Sequence, residues 1–273
     1  MPNSPIYLNT NQHTLNILQL TDLHLTADSS MYSCRQRFEA LLNQALEQSI
    51  AEGMKCDLIL VTGDLVSQVD PAIYDYIFAL LTATNIAFAC IAGNHDVTDE
   101  VGSNLPFEQR QLIAREADSR LLSRHVIESK HWQILLLNSA IAGQVAGRIK
   151  SEDIAWLCAQ LEYCDKPALL AVHHHLIPMQ SEWIDAYKMQ NAEQFWQRTK
   201  DYDNLRVIIN GHTHQEQVQH RNGVIVYTTP STCYQYQPLN DDFAYDKTAR
   251  PGYRWLQLAN NGQVASWVKR LDT

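Results

Sequence analysis

The stretch "DLILVTG", Asp57–Gly63, decides the fold that this chain is expected to adopt. A short apolar run that ends at a turn residue is typical of a β-strand buried on both faces. Similar runs precede and follow it, "LNILQL" at Leu15–Leu20 and "IAFACIAG" at Ile86–Gly93. Because helical patterns separate the three runs, the first half of the chain predicts an α/β layered fold with strands buried on both faces.

The helical patterns are recognised by the spacing of their apolar residues. The second is "YDYIFALLTAT", and the first ends near Gly53. Apolar residues at i, i+3 and i+4 spacing mark the buried side of the first: Phe38, Leu41, Leu42, Ala45, Leu46 and Ile50.

The second half predicts a less regular continuation of the same fold. "WQILLLNS", "PALLAVHHH" and "LRVIINGHTH" indicate strands, and "SEDIAWLCAQLEY" indicates a helix. The last strands, "VIVYTTP", "YRWLQLA" and "VASWVKRL", favour antiparallel structure, with "NNG" as a hairpin turn. Because the sequence shows no internal repeat and no linker, we predict one domain over residues 1–273. The segments predicted to be least ordered are Thr98–Asn104 and Gln237–Arg250.

Composition and charge narrow the class of protein. The 273 residues are 45% hydrophobic and 19% charged, as in ordinary globular proteins, and the formal net charge is -9. That charge disfavours nucleic acid and anionic membranes as partners, although a bound metal ion would still let the protein bind a small anion. The six cysteines form no CxxC pair and predict buried reduced thiols. Since neither a secretory signal nor an apolar run of ~20 residues occurs, we expect a cytoplasmic protein.

Aspartate, histidine or asparagine side chains follow five of the predicted strands. In open α/β sheets, ligand sites gather beyond the carboxyl ends of the strands. The residues concerned are Asp22, His24, Asp64, Asn94, His95, Asp96, His173, His174, His175, His212 and His214. A chance surface cluster, or imidazoles packed in a core, would explain a few of these histidines but not the whole set in one structural context.

The mixture of His, Asp and Asn favours a metal site. Such ligands suit Mn, Fe or Zn, whereas thiolates would indicate structural zinc. The pairs Asp22/His24 and His212/His214 are two residues apart, a spacing that places side chains on one face of a strand. Seven or more ligands exceed the need of one ion, which indicates two ions with one bridging carboxylate.

In this order, the motifs D-x-H, GD, GNH(D/E), H and GH-x-H resemble those of the calcineurin-like metallophosphoesterase superfamily. The resemblance implies a four-layer α/β/β/α sandwich with two mixed sheets and a dinuclear centre where the strands end. It also implies that Asp64 bridges the two ions and that His95 is a non-ligand catalytic residue beside the phosphate. The implied ligands are Asp22, His24, Asp64 and His214 for the first ion, and Asp64, Asn94, His173 and His212 for the second.

Three further stretches, "HHHLIPMQSEWID", "PSTCYQYQP" and "PGYRWLQL", are similar to bacterial class III 3′,5′-cyclic AMP phosphodiesterases. This chain departs from them at Leu176, where those enzymes usually have proline. The resemblance implies hydrolysis of cyclic AMP, a small-molecule cyclic nucleotide, to 5′-AMP by a hydroxide that the two metal ions activate. The implied substrate contacts are His24, Asp64, Asn94, His95 and His214.

Several alternatives stay open from the sequence. Another phosphodiesterase or a phosphomonoesterase would share the same metal core, and a non-catalytic binding scaffold or a metal-storage protein would share the fold or the ligands. Fe and Mn are the favoured ions, with Zn as a further candidate. The oligomeric state is not predicted, nor is the choice between cyclic AMP and cyclic GMP. Asp96 is either a turn residue or a residue that orients an imidazole. His174 is expected to face away from the cleft, and His175 to lie near its rim.

Overall fold

The computed structural model of the chain describes residues 5–8, 14–27, 34–102, 105 and 109–272. The helices are α1 Cys34–Ala51, α2 Pro71–Ala83, α3 Ser151–Tyr163, α4 Glu182–Asp185 and α5 Ala192–Thr199. The strands are β1 Ile6–Tyr7, β2 Thr14–Leu20, β3 Leu58–Thr62, β4 Phe88–Ile91, β5 Thr98–Val101, β6 Gln111–Ala114, β7 Arg124–Glu128, β8 Gln133–Leu137, β9 Ala168–Ala171, β10 Leu205–Asn210, β11 Gln217–Arg221, β12 Val224–Thr228, β13 Gln235–Tyr236, β14 Tyr245–Asp246, β15 Gly252–Ala259 and β16 Val264–Arg270. None of the described helices has the length and apolar character needed to cross a bilayer.

Two mixed sheets form the centre of the fold. One has the strand order β16-β15-β2-β3-β4, in which β2, β3 and β4 are parallel and β15 is antiparallel to both β2 and β16. The other has the order β1-β7-β8-β9-β10-β12-β11, in which β8, β9, β10 and β12 are parallel neighbours. Parallel strands end at the same edge of a sheet, so the loops after β2, β3 and β4 meet those after β9 and β10.

The hydrophobic core shows four layers. Alternate residues of a strand face opposite sides of the sheet. In β2, Leu18 and Leu20 pack with α1 and α2, whereas Leu15 and Ile17 pack with residues of the seven-stranded sheet. The other face of that sheet packs against α3 and α5. The order helix, sheet, sheet, helix is therefore the predicted α/β/β/α sandwich.

A buried glutamine joins the two sheets beneath the site. The Gln19 side chain donates from Nε2 to Thr62 Oγ1 at 2.9 Å and to the Asn210 carbonyl oxygen at 3.2 Å. Its Oε1 accepts from Thr229 Oγ1 at 2.7 Å. Because β2, β3 and β10 meet in these bonds, their carboxyl ends are held at a fixed distance from one another.

Most predicted elements are confirmed, and the differences have simple physical causes. In α1, Ser49 is buried and Ile50 is exposed, because Ile50 lies off the stripe that begins at Phe38. The prediction of antiparallel structure for "VIVYTTP" holds only on one side, since β12 pairs with β10 in parallel and with β11 antiparallel. The prediction of a single domain stays a prediction.

The two segments predicted to be least ordered contain paired strands. Thr98–Val101 pairs with β6, and β14 pairs with β13. Residues 103–104 lie outside the described part of the chain. These short strands are mostly exposed or half-buried, so they show little of the hydrophobic periodicity that marks a buried strand.

Candidate metal centre

Five of the seven predicted ligands lie on loops with an unusual backbone conformation. The φ angles are positive at Asp22 (53°), His24 (47°), Asp64 (52°), His212 (65°) and His214 (49°). This left-handed region is uncommon for residues other than glycine, and such strain concentrates at functional sites. The strands end before these residues, at Leu20, Thr62 and Asn210. The sequence argument from strand alternation is therefore wrong, because left-handed turns, and not the pleat, bring each pair to one side.

Asp64 lies between two groups of histidines. Its Oδ1 accepts a hydrogen bond from the His95 backbone nitrogen at 2.8 Å. Its Oδ2 lies 3.3 Å from His173 Nε2 and 3.8 Å from His24 Nε2. Gly93 packs so tightly here that an added Cβ would lie 2.2 Å from Asp64 Oδ1. Only glycine therefore allows this carboxylate to occupy its position.

The first group consists of Asp22, His24 and His214. The two Nε2 atoms of His24 and His214 lie 3.1 Å apart, and His214 Nε2 lies 3.2 Å from Asp22 Oδ1. His214 Nδ1 donates to the Tyr234 carbonyl oxygen at 2.8 Å, which directs Nε2 toward the group. The three side chains are buried, and their ligand atoms are close enough to hold one metal ion.

The second group contains His173, His212 and Asn94. His173 Nδ1 donates to the Thr62 carbonyl oxygen at 2.8 Å, which directs Nε2 toward Asp64. Buried atoms of all three residues lack a hydrogen-bond partner among the described residues, namely His173 Nε2, His212 Nε2 and Asn94 Oδ1. Unpartnered buried polar atoms are costly, and a cation bound by these lone pairs would satisfy them. The residues present therefore fit a metal ion.

Asp64 and His173 are strongly coupled. Burial raises the pKa of Asp64, but His173 and His95 lower it more, so the net pKa lies well below the usual range. Burial lowers the pKa of His173, yet Asp64 raises it to about 9. The pKa values of His24 and His212 lie well below the usual value, chiefly because burial disfavours the charged ring. The lowered pKa values of Asp64, His24 and His212 favour the ionised carboxylate and the neutral imidazoles, which are the forms that bind a metal ion.

Comparison with known proteins agrees with this geometry. Residues 15–216 match the family model for the calcineurin-like phosphoesterases. The chain belongs to this family. A probable cyclic nucleotide phosphodiesterase from Psychrobacter arcticus is 60% identical to it, with all of both chains covered. The 3′,5′-cyclic adenosine monophosphate phosphodiesterase CpdA of Vibrio vulnificus is 33% identical, over 95% of this chain and 91% of that protein. A dimetal phosphatase from Danio rerio has the same fold, with a TM-score of 0.58, 14% identity and coverage of 94% and 99%.

In this calcineurin-like phosphoesterase, His95 differs from the other predicted site residues because it is only half-buried. Its ring lies edge-on to His24, with centroids 4.8 Å apart. Its Nδ1 is 3.1 Å from the Ser67 carbonyl oxygen, to which it donates. Burial lowers the pKa of His95, but Asp64 and Glu100 raise it more, so the net pKa is raised. The position suits a residue that faces the substrate.

Asp96 binds backbone and not an imidazole. Its carboxylate accepts from the backbone nitrogens of Gly93 at 2.8 Å and Leu65 at 3.2 Å, and from Tyr74 Oη at 2.7 Å. Burial and the nearby Asp64 raise the pKa of Asp96 to about 6. Of the two roles that the sequence left open for Asp96, the structure favours that of a turn residue. Its carboxylate joins the loop of the GD motif to the loop of the GNH motif.

The histidines after β9 have three different environments. Both ring nitrogens of His174 have partners, Ser139 Oγ at 2.8 Å and the Val145 carbonyl oxygen at 3.0 Å. His174 therefore has no free ring nitrogen for an ion, although it lies close to His173 and His212. His175 is fully buried, with Nε2 3.2 Å from Asp185 Oδ1. The expectation that His175 lies at the rim is wrong, because its ring packs behind His212.

Sequence reasoning did not identify the segment around Tyr234 as part of the site. The Tyr234 ring stacks on His24 at 5.0 Å, and its carbonyl oxygen holds His214. The adjacent Cys233 is disulfide-bonded to Cys34 at the start of α1, so the prediction of reduced thiols is wrong for this pair. Cys56, Cys90 and Cys158 are buried free thiols, as predicted. The only sequence signal for a role of Tyr234 was the stretch "PSTCYQYQP".

Proposed function

We propose that this chain hydrolyses 3′,5′-cyclic AMP to 5′-AMP with two bound metal ions. The observation that carries the proposal is the position of Asp64, whose carboxylate lies between two histidine groups and next to the half-buried His95. The substrate is inferred from relatives that are named CpdA, and the class of reaction is inferred from the calcineurin-like phosphoesterase family.

The proposed ligands follow the two groups. Asp22, His24, Asp64 and His214 would hold the first ion, and Asp64, Asn94, His173 and His212 the second. Fe or Mn suits these nitrogen and oxygen donors, with Zn as a further candidate. When bound, two such ions supply an activated water and positive charge for the phosphoryl oxygens.

His95 is the proposed acid for the leaving 3′-oxygen. The bond from Nδ1 to the Ser67 carbonyl oxygen fixes the ring, so that the other nitrogen, Nε2, is the one available for proton transfer. Burial lowers the pKa of His95, but Asp64 and Glu100 raise it more, and this net direction favours the protonated ring that would donate to the leaving oxygen and stabilise charge on the phosphoryl group. The bonds of Asp96 hold the GNH loop against Asp64 and thereby position His95.

The substrate contacts proposed are His24, Asp64, Asn94, His95 and His214. The partner is a small cyclic nucleotide, and we propose no nucleic acid or membrane partner because the net charge is -9. A cytoplasmic location is part of the same proposal.

A substrate panel on the metal-reconstituted protein tests this function. Cyclic AMP, cyclic GMP, 2′,3′-cyclic nucleotides and p-nitrophenyl phosphate esters would be compared by kcat/KM, with chromatographic identification of the product. We expect the highest value for a 3′,5′-cyclic nucleotide and 5′-AMP as the product from cyclic AMP. Faster hydrolysis of a phosphomonoester, or no turnover by a protein carrying two ions, contradicts the proposal.

A further inference from the structure

A chain of aromatic rings leads from the metal centre to the surface. Tyr236 stacks on the buried His214, with centroids 4.2 Å apart and planes 21° from parallel. Phe243 follows at 5.6 Å from Tyr236, and Tyr245 lies 5.0 Å from Phe243. We call the cluster the aromatic wall: Trp183, Tyr234, Tyr236, Phe243 and Tyr245. It begins at a predicted metal ligand and ends in solvent.

The wall is a built structure and not a chance contact of side chains. Tyr236, Phe243 and Tyr245 lie on the β-hairpin that is formed by β13, β14 and the loop between them. The hairpin is closed by the pairing of the two strands and by the Gln237 nitrogen, which donates to the Ala244 carbonyl oxygen at 2.9 Å. Helix α4 is fastened to the hairpin, since the Trp183 nitrogen donates to the Asp241 carbonyl oxygen at 3.2 Å. Ser181 Oγ also donates to the Asn240 carbonyl oxygen. Two segments distant in sequence thus hold the outer rings in place.

The outer rings of the wall are exposed. Phe243 is 54% and Tyr245 is 51% exposed, although the inner members Tyr234 and Tyr236 are largely covered. Large aromatic side chains that remain in water next to a polar site are unusual, and such patches mark binding surfaces. The Tyr245 ring lies 29° from parallel with Tyr236, so a planar group stacked on Tyr245 would continue the order His214, Tyr236, Tyr245. The Phe243 ring is edge-on to both tyrosines. The ligand that this continuity selects has a phosphoester at the metal centre and a planar group beside it.

We propose that Tyr245 and Phe243 form a base-binding subsite, in which the planar nucleobase of the nucleotide substrate stacks on the Tyr245 ring and packs against the edge-on Phe243 ring. The inference rests on the proposed function, and it deepens that function by assigning residues to base recognition. Stacking on aromatic side chains contributes about 1–3 kcal/mol per base and accepts any base with a π-face. The subsite therefore explains binding of a nucleotide in preference to a plain sugar phosphate, and it predicts only modest discrimination between adenine and guanine.

Calorimetric titration of the metal-loaded protein tests the subsite independently of turnover. The probes are 5′-AMP and ribose 5-phosphate, which differ only by the base. We expect wild-type protein to bind 5′-AMP about tenfold more tightly or better. Phe243→Ala and Tyr245→Ala should each remove most of this difference and leave the affinity for ribose 5-phosphate unchanged. Phe243→Tyr should retain the difference, because it keeps the aromatic face.

Kinetics and a matched control complete the test. With cyclic AMP, the two alanine variants should raise KM about tenfold with kcat within about twofold of wild type. Tyr163→Ala, which removes an 89% exposed aromatic ring at the end of α3, should change neither KM nor affinity. Equal affinities of wild-type protein for the two probes, or equal weakening of both in the variants, overturns the subsite. If 5′-AMP binds as expected but cyclic AMP is not hydrolysed, the proposed function fails and the subsite stands.

Discussion

Gly93→Ala is the most direct test of how the GD and GNH loops create the site. The substitution adds one methyl group in a backbone conformation that alanine also adopts, since Gly93 has no positive φ. Its Cβ would lie 2.2 Å from Asp64 Oδ1, 2.4 Å from the Asp64 backbone nitrogen and 2.8 Å from Asp64 Cγ. Because one of these atoms belongs to the backbone, rotation of the Asp64 side chain alone cannot relieve the clash.

The size of the effect follows from these distances. Nonbonded heavy atoms rest at about 3.5 Å, so Asp64 and the added methyl group must separate by about 1 Å. Overpacking of this kind costs about 1–3 kcal/mol of unfolding free energy. A displacement of about 1 Å at a reacting centre lowers turnover by about 100-fold. The bonds of Asp96 to Gly93 and Leu65 resist the separation, so the Asp64 backbone must shift locally and carry its carboxylate out of position.

Three measurements on the same preparation check this expectation. We expect kcat/KM with cyclic AMP to fall about 100-fold. Metal content by mass spectrometry should fall below that of wild type, because Asp64 is the proposed bridging ligand. Urea denaturation should show a loss of about 1–3 kcal/mol.

Gly53→Ala is the matched control. Gly53 follows α1 with φ 69° and has no atom within 4 Å of an added Cβ. This variant should lose about 1 kcal/mol of stability from backbone strain and keep wild-type activity and metal content. If Gly93→Ala also keeps its metal and stays within a few-fold of wild-type activity, the close approach to Asp64 is not needed and the reasoning is refuted.

The remaining predictions concern the ligands and the acid. Asp64→Ala should abolish turnover and lower metal occupancy at both sites; two full equivalents by mass spectrometry would contradict the bridging role. His95→Ala should keep its metal and lose about 10²–10⁴-fold in kcat, whereas loss of metal with normal activity per ion would make His95 a ligand. His173→Ala should lose one metal equivalent, while His174→Ala should keep both ions and lose about 2–4 kcal/mol of stability through two broken buried hydrogen bonds and a cavity. Burial lowers the pKa of His173, but Asp64 raises it more, to about 9. Below that pH the ring proton competes with the metal ion, so metal affinity should weaken by up to about tenfold per pH unit. Chelator competition that shows no pH dependence would contradict this.

The disulfide-bonded pair Cys34–Cys233 lies at the inner end of the aromatic wall, next to the first metal group. Cys233 precedes Tyr234, whose carbonyl oxygen holds His214, and Arg37 Nη1 donates to the Cys233 carbonyl oxygen. Variants in this segment therefore act on the first metal group as well as on the fold. Phe243 and Tyr245, at the outer end of the wall, do not touch the ligands directly, which makes them the better probes of base recognition.

By itself, the sequence determined the layers of the fold and predicted which residues the proposed site contains. Apolar runs such as Leu15–Leu20 and Leu205–Asn210 predict buried strands because the preference is local, and the short motifs after them carry the metal chemistry in their residue types. The sequence could not determine how those residues are oriented. The positive φ angles of Asp22 and His212, and the bond from His212 nitrogen to Asp22 at 3.1 Å, arise only when loops 190 residues apart meet.

The tertiary structure alone decided which neighbours support the proposed ligands. His174 differs from His173 because its ring meets Ser139 and Val145, which no local pattern in "VHHHL" reveals. The aromatic wall likewise depends on Trp183 meeting Phe243 from a distant segment, and the cysteine pair spans 199 residues of chain. Local periodicity specifies strands and helices, but contacts between distant segments are specified by the packing of the whole core, and these contacts position the side chains of the site.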